Sequence, residues 1–176
     1  MDQVLVMTER PDRSEAAEYY FTYIDQVGEG DIRQLLADQL GETLTLLDSI
    51  PQERALHRYA ADKWTISEAV SHVNDAERVF AYRAFWFARK FDTPLPSFDQ
   101  DVAAASSDAD ARTLKSHREE FAAIRAASQE LFRNLPDDAW MRRGTASGNP
   151  FSVRGLAYIT VGHVAHHNRI LRERYL

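Results

Sequence analysis

The sequence predicts an all-α protein, an up-down-down-up four-helix bundle. Three observations carry this expectation. Four long segments repeat apolar residues at the helical period. Proline- or glycine-containing breaks separate them. The connection between the second and third segments, Phe91 to Ser107, is about 17 residues long and contains two prolines. At about 3.3 Å per residue it can cross a bundle from end to end, so helices two and three can run parallel.

The first helix is expected from about Ile32 to Leu47, with Ile32, Leu35, Leu36, Leu40, Leu44 and Leu47 on one stripe. Asp31 is its candidate N-cap, with Gln34 three residues on as capping-box partner, and Pro51 closes it. The second starts at Thr65, where Thr65 and Glu68 form a T-x-x-E capping box. It should end near Lys90, before Thr93-Pro94-Leu95-Pro96. The third runs from about Asp108 to Asn134, on a stripe of Leu114, Phe121, Ile124, Leu131, Phe132 and Leu135, and Pro136 ends it. The fourth follows Gly148-Asn149-Pro150, takes Ser152 as cap and runs almost to the C-terminus. Ser14 to Val27 reads as a short helix plus an arm packed on the bundle, so that residues 1–176 make one domain with residues 1–27 as its N-terminal arm.

With 44% apolar residues the chain can bury a core. Charged residues interrupt every apolar stretch, so no membrane span is expected. The chain has no cysteine, which excludes disulfides, thiolate metal sites and a cysteine nucleophile. A net charge of −6, with arginines scattered among acids, argues against a nucleic-acid partner. Met1 to Arg13 lacks the basic and apolar regions of a secretory leader, so a cytoplasmic protein is expected.

The chemistry lies in the histidines. His163 and His167 are four apart and project from one helix face, in the middle of the stripe made by Leu156, Ile159 and Ile170. Two inward imidazoles need partners, because an unpaired buried polar group costs about 1–3 kcal/mol. A metal ion supplies one to both; core hydrogen bonds or water would be the ordinary alternative. His72, at the edge of the helix-two stripe, could complete a three-histidine site with an open position. Three neutral imidazoles suit Zn²⁺, Ni²⁺, Cu²⁺ or Fe²⁺ rather than Mg²⁺ or Ca²⁺. His117 is a rival, since it falls on the buried stripe of helix three at about the height of His72. His166 points away from the pair, and His57 sits in a polar loop. The chain has no His-Glu-x-x-His, and no Glu-x-x-His on its helices.

Three segments resemble the DinB-like superfamily of YfiT-type metalloenzymes: Lys63-Trp64-Thr65-Ile66-Ser67-Glu68 leading to Ser71-His72-Val73 and Glu77-Arg78, then Gly144 to Asn149, then Gly162-His163-Val164-Ala165-His166-His167-Asn168-Arg169-Ile170-Leu171. The likeness runs from about Tyr20 to the end. It implies an up-down-down-up bundle with one histidine on helix two and a His-xxx-His pair on helix four, hence His72, His163 and His167 as ligands of one zinc, nickel or similar divalent ion. His117 matches no ligand position. The resemblance also implies a homodimer, a small-molecule substrate, and thiol-dependent transfer or isomerisation with bacillithiol or mycothiol as cosubstrate.

Catalysis by thiol transfer, catalysis by hydrolysis, a non-catalytic metal-binding or sensing module and a purely structural bundle all remain open from the residues. No general base is identifiable. The period puts Asp75, Tyr158 and Arg169 off the buried face, and Thr160 faces either the site or the core. Phe80, Tyr82, Phe85, Trp86 and Phe87 place apolar surface around helix two on several faces. That surface needs either a partner copy or cover from the arm or crossover.

Overall fold

A computed structural model describes residues 9–176; residues 1–8 of the expected N-terminal arm lie outside the described residues. In chain order the helices are α1 (Phe21–Ile24), α2 (Ile32–Asp48), α3 (Ile66–Ala88), α4 (Gln100–Ser106), α5 (Leu114–Arg133) and α6 (Val153–Ile170). A hairpin of β1 (Arg143–Ala146) and β2 (Asn149–Ser152) precedes α6, and a π-helical turn, Leu171–Tyr175, follows it. The long helices α2, α3, α5 and α6 form the bundle.

Cross-helix bonds fix the directions. Asn74 on α3 donates to the His117 carbonyl on α5, and Arg78 pairs with Glu120 further along both helices, so α3 and α5 are parallel. Gln39 donates to the Val161 carbonyl at 2.9 Å and Asn168 to Thr43 at 2.7 Å, which makes α2 and α6 parallel. Arg118, early in α5, binds Asp48 at the end of α2, while Arg125 reaches the Leu36 carbonyl, so those two run antiparallel. The result is the expected up-down-down-up order with a long crossover between α3 and α5.

One polar knot ties all four helices. The Arg125 guanidinium is fully buried and forms a fork with Glu77 on α3, at 2.8 and 2.9 Å. Its Nη1 donates to Gln39 Oε1 at 3.0 Å and to the Leu36 carbonyl at 3.1 Å on α2, while Gln39 reaches α6 through Val161. Apolar clusters pack at either end, with Phe80, Phe87, Phe132, Trp140 and Phe151 in one and Leu46, Ile66, Val70, Leu114 and Leu171 in the other.

Local rules hold at most helix starts. Thr65 accepts from Glu68 N at 3.0 Å and Glu68 accepts from Thr65 N at 2.7 Å, a complete capping box. Ser152 caps α6 by accepting from Gly155 N at 2.8 Å. Two expectations shift. Asp31 does cap α2, accepting from Arg33 N at 2.8 Å, but Gln34 bonds Asp38 instead of closing a box. The third bundle helix starts at Leu114 behind a Thr113 cap, later than Asp108, because Asp108 takes a left-handed φ of 50° and a 3₁₀ turn intervenes. The hairpin and the crossover helix α4 are additions to the expected elements. The crossover is stitched to the hairpin, with Leu95 N donating to the Thr145 carbonyl at 2.9 Å and Ser147 N to the Leu95 carbonyl at 3.1 Å.

The arm before α2 is seated on α6. Glu15 is buried and accepts from Ser152 at 2.7 Å and from Arg154. Burial pushes its carboxyl up, but these bonds and the Asp12 backbone outweigh it and hold the pKa below the usual range. Among the described residues no helix is long and apolar enough to cross a membrane.

Arg125→Leu should destabilise the fold by about 3–5 kcal/mol, since it strands the Glu77 carboxylate in the core. Arg118→Leu, which breaks only an exposed pair with Asp48, should leave stability almost unchanged. Urea midpoints of the two variants check both outcomes.

Candidate metal centre

The capping box fixes the start of α3 two turns before His72, and the Trp64 ring just ahead of the box lies 4.7 Å from the His72 ring. Across the bundle, His163 and His167 sit one turn apart on α6 with ring centroids 4.5 Å apart. The three imidazoles converge. Their potential ligand atoms all lie within 4.8 Å of one another, and the Nε2 atoms of His72 and His163 are 3.1 Å apart. Nitrogens bound at about 2.1 Å to one tetrahedral ion sit roughly 3.4 Å apart, so small side-chain adjustments would bring all three onto one ion.

Electrostatics favour the same use. Burial pushes the His72 pKa down to about 4 and that of His167 down to about 3. His163 lies well below its ordinary value, first through burial and then through the neighbouring His167 and His72. All three are therefore neutral near pH 7, with lone pairs available to a cation. The donor set fits a borderline divalent ion such as zinc or nickel. His163 Nδ1 is buried without a hydrogen-bond partner among the described residues. Its ring is held by aromatic edges instead, Tyr23 at 5.2 Å and Phe80 at 5.5 Å.

The other expected candidates do not join the cluster. His117 is buried, but its Nε2 lies 3.0 Å from the Ala109 carbonyl. His57 is exposed in its loop, and half-buried His166 faces Tyr23 and Gln26. Thr160 donates to the Leu156 carbonyl at 2.8 Å. Asp75 pairs with Arg78 and Arg169 with Glu173. Tyr158 corrects the periodicity: it is buried, because the seated arm covers the face of α6 that a bare bundle would expose.

Two pockets flank the cluster. One, of about 250 Å³, is lined by His72 and His163 with Tyr19, Tyr20, Tyr23, Phe80, Arg83, Phe98 and Gln100. The other, of about 290 Å³, is lined by His167 with Tyr59, Asp62, Lys63, Trp64, Gln100 and Asp101. Gln100, at the start of α4, borders both. The tyrosine layer is the part that helical periodicity misses, because it comes from the arm. The expected arm from Ser14 to Val27 contains it, and Gly162 marks where it docks. A Cβ there would lie 2.2 Å from the Tyr23 carbonyl, so only glycine lets the arm close over His163. Tyr19 and Tyr23 join hydroxyls at 2.9 Å, and burial followed by that bond pushes the Tyr23 pKa up.

A family model described as the DinB superfamily matches residues 35–171. No curated protein matches the sequence. Among solved structures the chain is similar to YfiT from Bacillus subtilis, described as a probable metal-dependent hydrolase with an unusual four-helix bundle topology. The TM-score is 0.73 and the identity 16%, over 97% of this chain and 95% of that one. It is also similar to a mycothiol-dependent maleylpyruvate isomerase, with a TM-score of 0.67 and 16% identity, over 78% of this chain and 58% of that one. A mutant of that isomerase matches over the same shares with a TM-score of 0.67 and 15% identity. At these identities the likeness is one of fold.

The depressed histidines set a pH dependence for the metal-free chain. Their folded pKa values lie below the unfolded value of about 6.5, so the unfolded chain binds more protons between the two. Stability should be flat above pH 6.5 and fall as pH drops from there towards 4. Thermal melts of chelator-stripped protein across that range should show the slope, and it should be shallower in His72→Phe.

Proposed function

The chain belongs to the DinB superfamily, and from that premise we propose that it is a one-domain, metal-dependent enzyme of thiol transfer. In this reading His72, His163 and His167 hold one divalent ion, zinc or nickel. The observation that carries it is the convergence of three neutral imidazoles, two buried and one half-buried, from two helices on one point. When bound, such an ion acts as a Lewis acid that lowers the pKa of a thiol, or of water, at its open position.

The paired pockets favour a reaction of two substrates. The pocket beside His167, with Lys63, Asp62, Asp101 and Gln100, suits the polar body of a low-molecular-weight thiol such as mycothiol or bacillithiol. The pocket beside His72 and His163, walled by aromatic rings, suits an organic electrophile. The two would then meet at the histidine cluster, next to Gln100. The Tyr23 hydroxyl stays protonated near neutral pH and can donate a hydrogen bond to an oxygen that gains charge during transfer. A reaction that draws on reduced thiol fits the cytoplasm. The structural relatives support the two halves of this reading separately, a mycothiol-dependent isomerase the thiol and a probable metal-dependent hydrolase the metal. Hydrolysis is the second reading, favoured by the description of the relative with the wider coverage.

We also propose a homodimer. Tyr82 and Phe85 are exposed on the outer face of α3, and Phe91 of the crossover stacks on Trp86 at 4.1 Å while staying exposed itself, leaving an apolar patch that the crossover covers only in part.

Elemental analysis of untagged protein should find about one zinc or nickel ion per chain, absent from His163→Ala/His167→Ala. Turnover of electrophiles should require added thiol. Metal-dependent turnover without thiol would establish hydrolysis instead, and tight metal binding with no turnover would leave a metal-binding or sensing module. Sedimentation should give twice the monomer mass, and Tyr82→Glu/Phe85→Glu should return the monomer.

A further inference from the structure

Three arginines on the bundle helices are almost fully buried, Arg83 at 3% exposure, Arg125 at 0% and Arg154 at 6%. Two of them have a carboxylate: Arg125 forks onto Glu77 and Arg154 onto Glu15. Arg83 has none among the described residues. Its Nη2 donates to Ser147 Oγ at 2.9 Å and to the Pro96 carbonyl at 3.3 Å, and its guanidinium lies 5.9 Å from the Phe151 ring centroid. Nε and Nη1 make no hydrogen bond among the described residues. Neither of these nitrogens is sealed from solvent, so both reach the open space of the adjoining pockets, where their unused donors match a carboxylate fork.

The position of Arg83 matters as much as its missing partner. It lines the pocket that holds His72 and His163, and also an adjoining apolar cleft of about 320 Å³ walled by Val79, Leu95, Pro96 and Phe98. It follows His72 by eleven residues (83 − 72), three turns of α3, so both share a face. Their Cα atoms are about 16 Å apart along the axis. Helical side chains lean towards the N-terminus, which brings the guanidinium back towards the histidines.

We infer that Arg83 binds a carboxylate of the substrate, with the reacting group several bonds away at the histidine cluster and an apolar flank against Val79, Pro96 and Phe98. Arg78 also borders the cleft, but Asp75 and Glu120 offset its charge, and the one cation there left without a carboxylate among the described residues, Arg83, matches a carboxylate better than a doubly charged phosphate. The reacting end of this assignment rests on the metalloenzyme reading above; the anion site rests on Arg83 alone.

Calorimetric titration with hexanoate and its uncharged isostere hexanamide separates the two. Chelator-stripped wild-type protein should bind hexanoate at least tenfold more tightly than hexanamide. Arg83→Gln should abolish that preference with its metal content unchanged, and Arg83→Lys should keep part of it. Equal affinity for the two ligands in the stripped wild type, no binding of either, or a preference that survives in Arg83→Gln would overturn the assignment. Because Arg83 also holds Pro96 and Ser147, Arg83→Lys supplies the folded comparison where Arg83→Gln fails to fold, and equal affinity in the wild type overturns the assignment without any variant. Failure of the metal site would appear separately, as absent zinc or nickel in the elemental analysis.

Discussion

The buried fork between Arg125 and Glu77 is the constraint on which the rest of the bundle depends. Two charges in the core are tolerated only when nearly every donor and acceptor is used. Here Glu77 takes two guanidinium bonds, while Gln39 and the Leu36 carbonyl take the two from Nη1. Because these groups come from α2, α3 and α5, and Gln39 continues to α6, the pair forms only when all four helices have the correct direction and register. Glu77 also lies five residues beyond His72 on α3, so the knot fixes the helix that presents one of the three imidazoles.

The histidine cluster follows different physics. Its members are neutral through burial, and the surrounding walls are aromatic. A neutral cluster without a strong hydrogen-bonded outer layer leaves the imidazole lone pairs uncommitted, apart from the close approach of His72 and His163. The imidazoles bring no charge of their own to the pockets on either side. Any ligand charge that an ion on the histidines does not meet must therefore find its complement elsewhere on the pocket wall.

Much of this was legible in the sequence, for identifiable reasons. The capping box at Thr65, the Ser152 cap and the i, i+4 histidines depend on contacts within a few residues, so spacing reveals them. The length of the crossover revealed the parallel pair α3 and α5. The fork at Arg125 was not legible, because the spacing of Glu77 and Arg125 along the chain carries no trace of their meeting. Tyr158 was misassigned because periodicity assumes that one face of α6 is buried, whereas the arm buries a second. The tyrosine layer and Arg83 escaped for the same cause: each is brought to the site by a segment distant in sequence, the arm in one case and the hairpin with the crossover in the other.

The parallel packing of α2 and α6 also bears on how the chain reaches this state. The bonds that align them join residues 122 and 125 positions apart. No local hairpin of helices can form that pairing, since the two middle helices must be made and crossed over first. The molecule therefore has a high contact order for a helical bundle. Closing a very large loop should limit its assembly more than winding any helix, and it should assemble more slowly than an up-down-up-down bundle of equal length.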